Sequence, residues 1–159
     1  MGELTDEQAI QEIRNYYCLS TLIATAGQPT ESQLAAVARA GYQVVINLGL
    51  TGEQYSLPDE QGLVQSLGIT YIHIPVIWER PTRADLEQFI QAMDAHEGQK
   101  VFVHCAANYR VSAFMALYRI IRLGWPQPEA LERVRAMDFP KQWRQFIDEM
   151  MRVYTAPAR

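Results

Sequence analysis

The run YQVVINL, at residues 42–48, is the feature of the sequence that most restricts the fold. Its nearly continuous β-branched and apolar residues predict a strand buried on both faces, as in a parallel sheet covered by helices. Three further runs predict strands: LSTLIATAG before it, and ITYIHIPV and KVFVHC after it. Segments with helical patterns alternate with these runs. The sequence therefore predicts an α/β fold, with helices flanking a mostly parallel central sheet of about four strands.

Capping signals mark the helix boundaries. Thr5 with Gln8 and Thr30 with Gln33 form T-x-x-Q capping boxes, and Thr82 can cap a further helix. Residues 111–123 are apolar on nearly every side and therefore predict a central helix. The other predicted helices cover residues 59–68 and the segments near 128–137 and 141–154.

Composition argues against several classes of function. A chain of 159 residues is expected to form one domain, over residues 1–159. Its net charge of −4 provides no basic surface for nucleic acid, and no apolar run approaches the ~18 residues of a membrane helix. Cys18 and Cys105 form neither a disulfide framework nor a zinc motif. We expect a protein of the reducing cytoplasm, without nucleic-acid or membrane partners, metal or organic cofactor; its oligomeric state stays open.

The stretch VFVHCAANYRVS, residues 101–112, carries the candidate chemistry. Cys105 ends the predicted strand, and a short loop leads into the N-terminus of a helix, where unpaired N–H groups favour an anion and a thiolate. Arg110 adds a planar guanidinium that matches two oxygens of a phosphate. A cysteine in a strand is otherwise most often a small buried apolar residue. With these neighbours, the stretch predicts an accessible nucleophilic thiolate beside an amide-lined anion site.

The segment VFVHCAANYRVSAF resembles the active-site loop of the cysteine-dependent protein tyrosine and dual-specificity phosphatases. In that family His-Cys ends a strand, and Arg followed by Ser or Thr opens a helix. AGQPTESQLAAVARAGYQVVINL and LGITYIHIPV are similar to a bacterial branch of small phosphatase-like domains. The resemblance covers about residues 26–123 and implies a fold of dual-specificity phosphatase size. It implies hydrolysis of phosphate monoesters through a cysteinyl-phosphate intermediate, with a phosphorylated substrate or small oxyanion as partner.

The resemblance also implies a role for each residue of this loop. Cys105 attacks phosphorus, and Ser112 stabilises it as the leaving thiolate. We expect His104 to be buried and to hydrogen-bond the loop rather than to act as a base. The phosphate oxygens are held by the Arg110 side chain and by the backbone amides of Ala106, Ala107, Asn108, Tyr109 and Arg110.

The spacing of the loop departs from the phosphatase pattern. Four residues separate Cys105 from Arg110, where the family has five, although Ser112 keeps the family position. Asn108 stands where the family has glycine, and asparagine tolerates a positive φ best after glycine. A C-x4-R loop also resembles that of the rhodanese sulfurtransferases. Two alternatives therefore stay open: a sulfurtransferase with a persulfide on Cys105, and a catalytically silent module that binds phosphate-bearing partners.

The general acid of the phosphatases, which protonates the leaving oxygen, usually lies on the loop after the strand that YIHIPV resembles. That loop reads IWERPTRADL here, and Trp78 stands at the expected aspartate position. The adjacent Glu79 is the candidate general acid, whereas Asp85 follows Thr82 by three residues and is expected to cap a helix. Structural roles are expected for His73, His96 and Cys18.

Overall fold

The computed structural model describes residues 4–155, in which helices cover both faces of a five-stranded sheet. Four of the strands are parallel, and β1 pairs antiparallel with β2. The predicted α/β fold with a mostly parallel sheet is confirmed. The strands are β1 (Tyr17–Cys18), β2 (Ile23–Ala26), β3 (Val44–Asn47), β4 (Thr70–His73) and β5 (Val101–His104), in the order β1-β2-β5-β3-β4.

The sheet has one strand more than the sequence predicts. The extra strand, β1, consists of two exposed residues, Tyr17 and Cys18, which pair with Thr25 and Ala24 of β2. Two residues are too few to show an alternating or continuous apolar pattern, so only the pairing with β2 reveals this strand.

Eight helices connect and cover the strands in the described part of the chain. The capping boxes predicted at Thr5 and Thr30 are both present, and Thr82 forms a third one with Asp85. None of the helices within residues 4–155 is long and apolar enough to cross a membrane. The helices are α1 (Asp6–Gln11), α2 (Glu31–Arg39), α3 (Glu60–Ser66), α4 (Arg83–Ala95), α5 (Tyr109–Ile121), α6 (Gln127–Ala130), α7 (Glu132–Arg135) and α8 (Lys141–Thr155).

Helix α5 and the segment after it differ from the prediction. Helix α5 begins at Tyr109, two residues earlier than predicted, because the turn at Asn108 leads directly into it. The single helix predicted near 128–137 is wrong, since this segment forms the two single-turn helices α6 and α7, which meet at Leu131. The bend places both Leu131 and Val134 in the core beside α5.

The core lies on both faces of the sheet, as the run YQVVINL predicts. Val44 and Ile46 of β3 pack in the larger cluster, with α4, α5 and α8, while Val45 packs on the opposite face with α1, α2 and α3. Ten of the residues of α5 are buried, which confirms that this helix is central. The larger cluster includes the fully buried Trp143 and Phe114.

The parallel strands end together at one edge of the sheet. Ala26 of β2 and Asn47 of β3 both pair with His104, the last residue of β5. The residues that follow these strands are therefore brought together, and ligands of open α/β sheets usually bind at this edge.

Candidate active site

Cys105 directly follows β5 at the carboxyl edge of the sheet. Its backbone N–H donates to the carbonyl oxygen of Ala26, at the end of β2, over 3.3 Å. Only 1% of Cys105 is exposed, so the thiol is less exposed than expected, and its accessibility to a substrate stays a prediction. A cavity of about 280 Å³ borders the residue, and Trp78 and Tyr109 also line it.

The loop after Cys105 turns sharply into α5. Asn108 has φ 69° and ψ 10°, which confirms the positive φ predicted at this position. Within residues 4–155, no backbone hydrogen bond is donated by the amides that flank this turn, those of Ala106, Ala107, Tyr109 and Arg110. Free amides beside a thiol, at the start of a 13-residue helix, form a site suited to an anion.

Asn15 and Asn108 hold the loop in this shape. The side-chain amide of Asn108 donates to the carbonyl oxygen of Asn15 over 2.8 Å and to Oγ1 of Thr25 over 3.1 Å. In return, Nδ2 of Asn15 donates to the carbonyl oxygen of Ala107 over 2.9 Å. The sequence analysis missed Asn15, because it lies 93 residues from Asn108 in the chain and no local pattern marks it.

Gly27 allows the segment after β2 to lie against the same loop. A Cβ atom on this residue would come within 2.5 Å of the carbonyl oxygen of Ala106, closer than packed atoms approach. The next residue, Gln28, donates its backbone N–H to that oxygen over 3.0 Å. A glycine is therefore needed here for close approach rather than for an unusual φ.

His104 is fully buried behind the loop, where its Nδ1 lies 3.2 Å from the carbonyl oxygen of Cys105. Its Nε2 lies 2.6 Å from Oε2 of Glu60, and Nε2 of Gln28 donates to the other carboxylate oxygen over 2.7 Å. Burial opposes the ionised carboxylate, but the hydrogen bonds from His104 and Gln28 outweigh this cost and lower the pKa of Glu60 below its ordinary value. The sequence analysis did not identify Glu60 or Gln28.

Arg110 lines the same cavity as Cys105 and is itself 6% exposed. Its Nη1 donates to the carbonyl oxygen of Val76, after β4, over 2.7 Å, and its Nη2 donates to the hydroxyl of Tyr55 over 3.4 Å. A guanidinium has five N–H donors, so three remain for a ligand. Arg110, which stands one residue earlier than the arginine of the phosphatase pattern, is thus held against the segment after β4.

Ser112 is hydrogen-bonded to the turn rather than to the thiol. Its hydroxyl donates to the carbonyl oxygen of Asn108 over 2.5 Å, and Oδ1 of Asn108 lies 3.3 Å away. In this structure the hydroxyl supports the positive-φ turn. Its predicted role, stabilising the Cys105 thiolate, stays a prediction.

The carboxylate nearest the site is not the one predicted from the sequence. Glu79 is exposed and does not line the cavity beside Cys105. Asp85 accepts a hydrogen bond from the backbone N–H of Thr82 over 3.3 Å, which confirms its predicted role as a cap. Asp138, between α7 and α8, is the one carboxylate among the described residues that line the cavity. It follows no strand, so its sequence context provides no signal.

Trp78 forms an aromatic wall of the cavity where the family has an acid. Its ring meets that of Tyr109 edge-on, with centroids 6.0 Å apart, and stacks near Phe139 at 6.4 Å. Nε1 of Trp143 donates to the carbonyl oxygen of Trp78 over 2.6 Å. These contacts anchor the segment after β4 to the core and α8.

The remaining candidate residues lie outside this cavity. His73 contacts the carbonyl oxygen of Gly49 at 2.6 Å, and His96 ends α4, as predicted. Cys18 is an exposed free thiol in the edge strand β1. Within residues 4–155, no group of three His, Cys, Asp or Glu side chains is placed to hold a metal ion.

Several known proteins are similar to this chain. The "Beta-lactamase hydrolase-like protein" of Xylella fastidiosa strain Temecula1 is 34% identical over 121 residues, or 73% of this chain and 28% of that protein. A DUF442 protein of Shewanella putrefaciens CN-32 is 35% identical with a TM-score of 0.83, over 92% of this chain and 97% of that one. The TpbA protein of Pseudomonas aeruginosa, in complex with phosphotyrosine, is 18% identical with a TM-score of 0.66, over 90% and 91% of the two chains. This chain thus spans little more than a quarter of the Xylella relative's length.

A family model identifies the chain more directly. The model of the family described as "DSP-PTPase phosphatase fused to NAD+ Kinase" matches residues 7–157, nearly the whole sequence. The match includes the loop from Cys105 to Arg110, the candidate anion loop, and the elements that hold it. The chain therefore belongs to this DSP-PTPase family, within the cysteine-dependent protein tyrosine and dual-specificity phosphatases that the Cys105 loop resembles.

Proposed function

We propose that this chain hydrolyses phosphate monoesters through a cysteinyl-phosphate intermediate on Cys105. The observation that carries the proposal is the juxtaposition of this thiol with the four free amides of its loop. Backbone amides that the fold already holds in place stabilise the negative charge that develops on the phosphate oxygens, because they need no reorganisation during the reaction. Both cysteines of the described chain are free, which is compatible with work in the reducing cytoplasm.

In the first step, the Cys105 thiolate attacks phosphorus. A sulfur–phosphorus bond forms while the ester phosphorus–oxygen bond breaks, and the leaving oxygen takes a proton from a general acid. The loop amides and the remaining N–H donors of Arg110 hold the other phosphate oxygens. We assign the acid to Asp138, because it lines the cavity and Glu79 does not.

In the second step, water attacks the phosphorus of the intermediate. The Asp138 carboxylate left by the first step accepts a proton from this water, the sulfur–phosphorus bond breaks, and inorganic phosphate leaves. Cys105 returns as a thiolate, next to the turn that Ser112 supports. The chemistry uses only side chains and amides of this chain and requires no cofactor.

The proposed substrates are aryl phosphates, including phosphotyrosine. The cavity of about 280 Å³ has two aromatic walls, Trp78 and Tyr109, which suit a flat ring attached to the phosphate. Phosphotyrosine is the ligand of the TpbA structure, a protein of similar fold. The partner of the site is therefore proposed to be a phosphorylated substrate.

Hydrolysis of p-nitrophenyl phosphate tests the proposal. The natural chain and a Cys18→Ser control should release phosphate, and Cys105→Ser should abolish the reaction. Transfer of sulfur from thiosulfate to cyanide, without hydrolysis, would instead assign a sulfurtransferase. Binding of phosphate without either reaction would assign a silent binding module.

A further inference from the structure

A second cavity, of about 540 Å³, lies between α5, the edge strand β1 and the α6–α7 segment. It shares no lining residue with the cavity beside Cys105. Its α5 wall presents Ser112, Met115 and Arg119, which lie on one face of the helix. The volume falls within the roughly 300–1,000 Å³ typical of small-molecule sites.

Two arginine side chains line this second cavity, and each lies over an aromatic ring. The guanidinium carbon of Arg119 is 4.2 Å from the ring centroid of Trp125, and that of Arg133 is 4.0 Å from the ring centroid of Tyr17. Cation–π contacts of this kind hold a guanidinium in place without neutralising its charge. Both cations are therefore fixed at the cavity.

Among residues 4–155, neither Arg119 nor Arg133 forms an ion pair, although Glu129 and Glu132 line the same cavity. Both are half-buried, and this burial lowers the pKa of each guanidinium because it removes part of the water that stabilises the cation. A partly dehydrated cation without a partner binds an anion more strongly than an exposed one does.

The acidic side chains of the cavity restrict the kind of anion. Glu129 and Glu132 also line it, but both are exposed, whereas the arginines are half-buried. The cavity therefore holds two half-buried cations and two exposed carboxylates. A single compact anionic group can pair with the two arginines, whereas a polyphosphate would also be repelled by the carboxylates.

The lining also offers apolar surface for the body of a ligand. Met115 and Leu19 line the cavity, and Trp125 is 38% exposed there. We propose that this cavity binds a small organic anion, whose carboxylate, sulfonate or phosphate group pairs with Arg119 and Arg133 while a planar apolar body packs against Met115 and Trp125. The proposal does not depend on hydrolysis at Cys105, although Ser112 contributes both to this cavity and to the turn of the Cys105 loop.

Titration with the fluorescent probe 1-anilinonaphthalene-8-sulfonate, an aromatic monoanion, tests the proposal. We expect saturable binding of one probe per chain, and displacement by salicylate but not by acetate at equal ionic strength. Arg119→Gln combined with Arg133→Gln should weaken probe binding about ten-fold or more, since a charge-assisted hydrogen bond is lost at each arginine. The control is Arg135→Gln, because Arg135 is an exposed arginine of α7 that does not line the cavity.

Further measurements separate this site from the loop at Cys105. Probe affinity should be unchanged in Cys105→Ser and at saturating vanadate, because the two cavities share no residue. The proposal would be overturned if the double arginine variant bound the probe as tightly as the natural chain does. It would also be overturned if vanadate displaced the probe, or if acetate displaced it as well as salicylate does. If circular dichroism shows that the double variant is unfolded, the single variants Arg119→Gln and Arg133→Gln decide, and each should bind the probe more weakly than the natural chain.

Discussion

Oε2 of Glu60 lies 2.6 Å from Nε2 of His104, and both side chains are buried behind the loop that carries Cys105. The other oxygen of this carboxylate accepts a hydrogen bond from Gln28, whose backbone N–H donates to the carbonyl oxygen of Ala106. His104 in turn contacts the carbonyl oxygen of Cys105. The buried carboxylate of Glu60 thereby holds both His104 and Gln28, the two residues that contact the carbonyl oxygens at the start of the anion loop. Glu60 is therefore a positioning residue.

Replacing Glu60 by glutamine should destabilise the fold at neutral pH by about 1–3 kcal/mol, because a buried hydrogen bond to a charged group is weakened. The pKa of Glu60 is lowered in the folded chain. Its contribution is therefore fully present above the carboxyl's ordinary pKa of about 4.3 and is lost as the pH falls through the lowered value. Urea denaturation of both proteins across this acidic range measures the difference.

The matched control for this prediction is Glu53→Gln, since Glu53 is exposed and forms no ion pair within residues 4–155. It should leave the urea midpoint almost unchanged at every pH. A gap between the natural chain and Glu60→Gln that stays constant down to the lowest pH would contradict the assigned role of the Glu60 carboxylate.

Two substitutions at Asn108 separate its conformation from its hydrogen bonds. Asn108→Gly keeps the positive φ but removes the bonds to Asn15 and Thr25, each worth about 0.5–1.5 kcal/mol. Asn108→Ala loses the same bonds and adds about 1–2 kcal/mol of backbone strain. We expect the stability order natural chain, glycine variant, alanine variant in chemical denaturation. Equal stability of the two variants would show that the left-handed turn is not maintained.

Asp138→Asn should slow hydrolysis in a manner that depends on the leaving group. A general acid contributes about 10²–10⁴-fold when the leaving oxygen needs a proton, so phenyl phosphate should lose more rate than p-nitrophenyl phosphate. Glu79→Gln is the paired control and should leave both rates near those of the natural chain. If Glu79→Gln shows the dependence and Asp138→Asn does not, the acid is Glu79 and the role of Cys105 is unaffected.

Inserting one residue between Asn108 and Arg110 restores the five-residue spacing of the phosphatase family. We expect it to lower both the hydrolysis rate and the affinity for phosphate. Helix α5 is buried along most of its length and cannot shift its register, so Arg110 stays beside the carbonyl oxygen of Val76 and the hydroxyl of Tyr55. The extra residue must then be accommodated in the loop, where it displaces the turn at Asn108 and the free amides from their places beside Arg110. A folded variant with full affinity and a higher rate would refute this view of the loop.

The sequence predicted the elements whose signals are local. The run YQVVINL predicted a strand covered on both faces, and Val44 and Val45 do pack on opposite sides of the sheet. The caps at Thr5 and Thr30 could be predicted because the residues of a capping box lie within four positions of each other in the sequence. The positive φ of Asn108 could be predicted because few residue types adopt a positive φ in a turn.

The predictions that failed depend on distant parts of the chain. Cys105 is buried because it belongs to the larger core cluster, whose members come from distant parts of the chain. The supports of the loop come from Asn15 and Gln28 near the N-terminus and from Glu60 in α3. Asp138 reaches the cavity because α7 and α8 fold back over α5.

The sequence by itself determined the alternation of strands and helices, the order Cys105, turn, Arg110, and therefore the candidate anion loop. These properties depend on contacts between residues a few positions apart, whose geometry the backbone dictates. Tertiary structure alone decided which carboxylate lines the cavity beside the thiol, which groups hold the loop, and that Arg119 and Arg133 both line a second cavity. Such juxtapositions arise when parallel strands and packed helices bring together segments that are far apart in the chain, and no local periodicity records them.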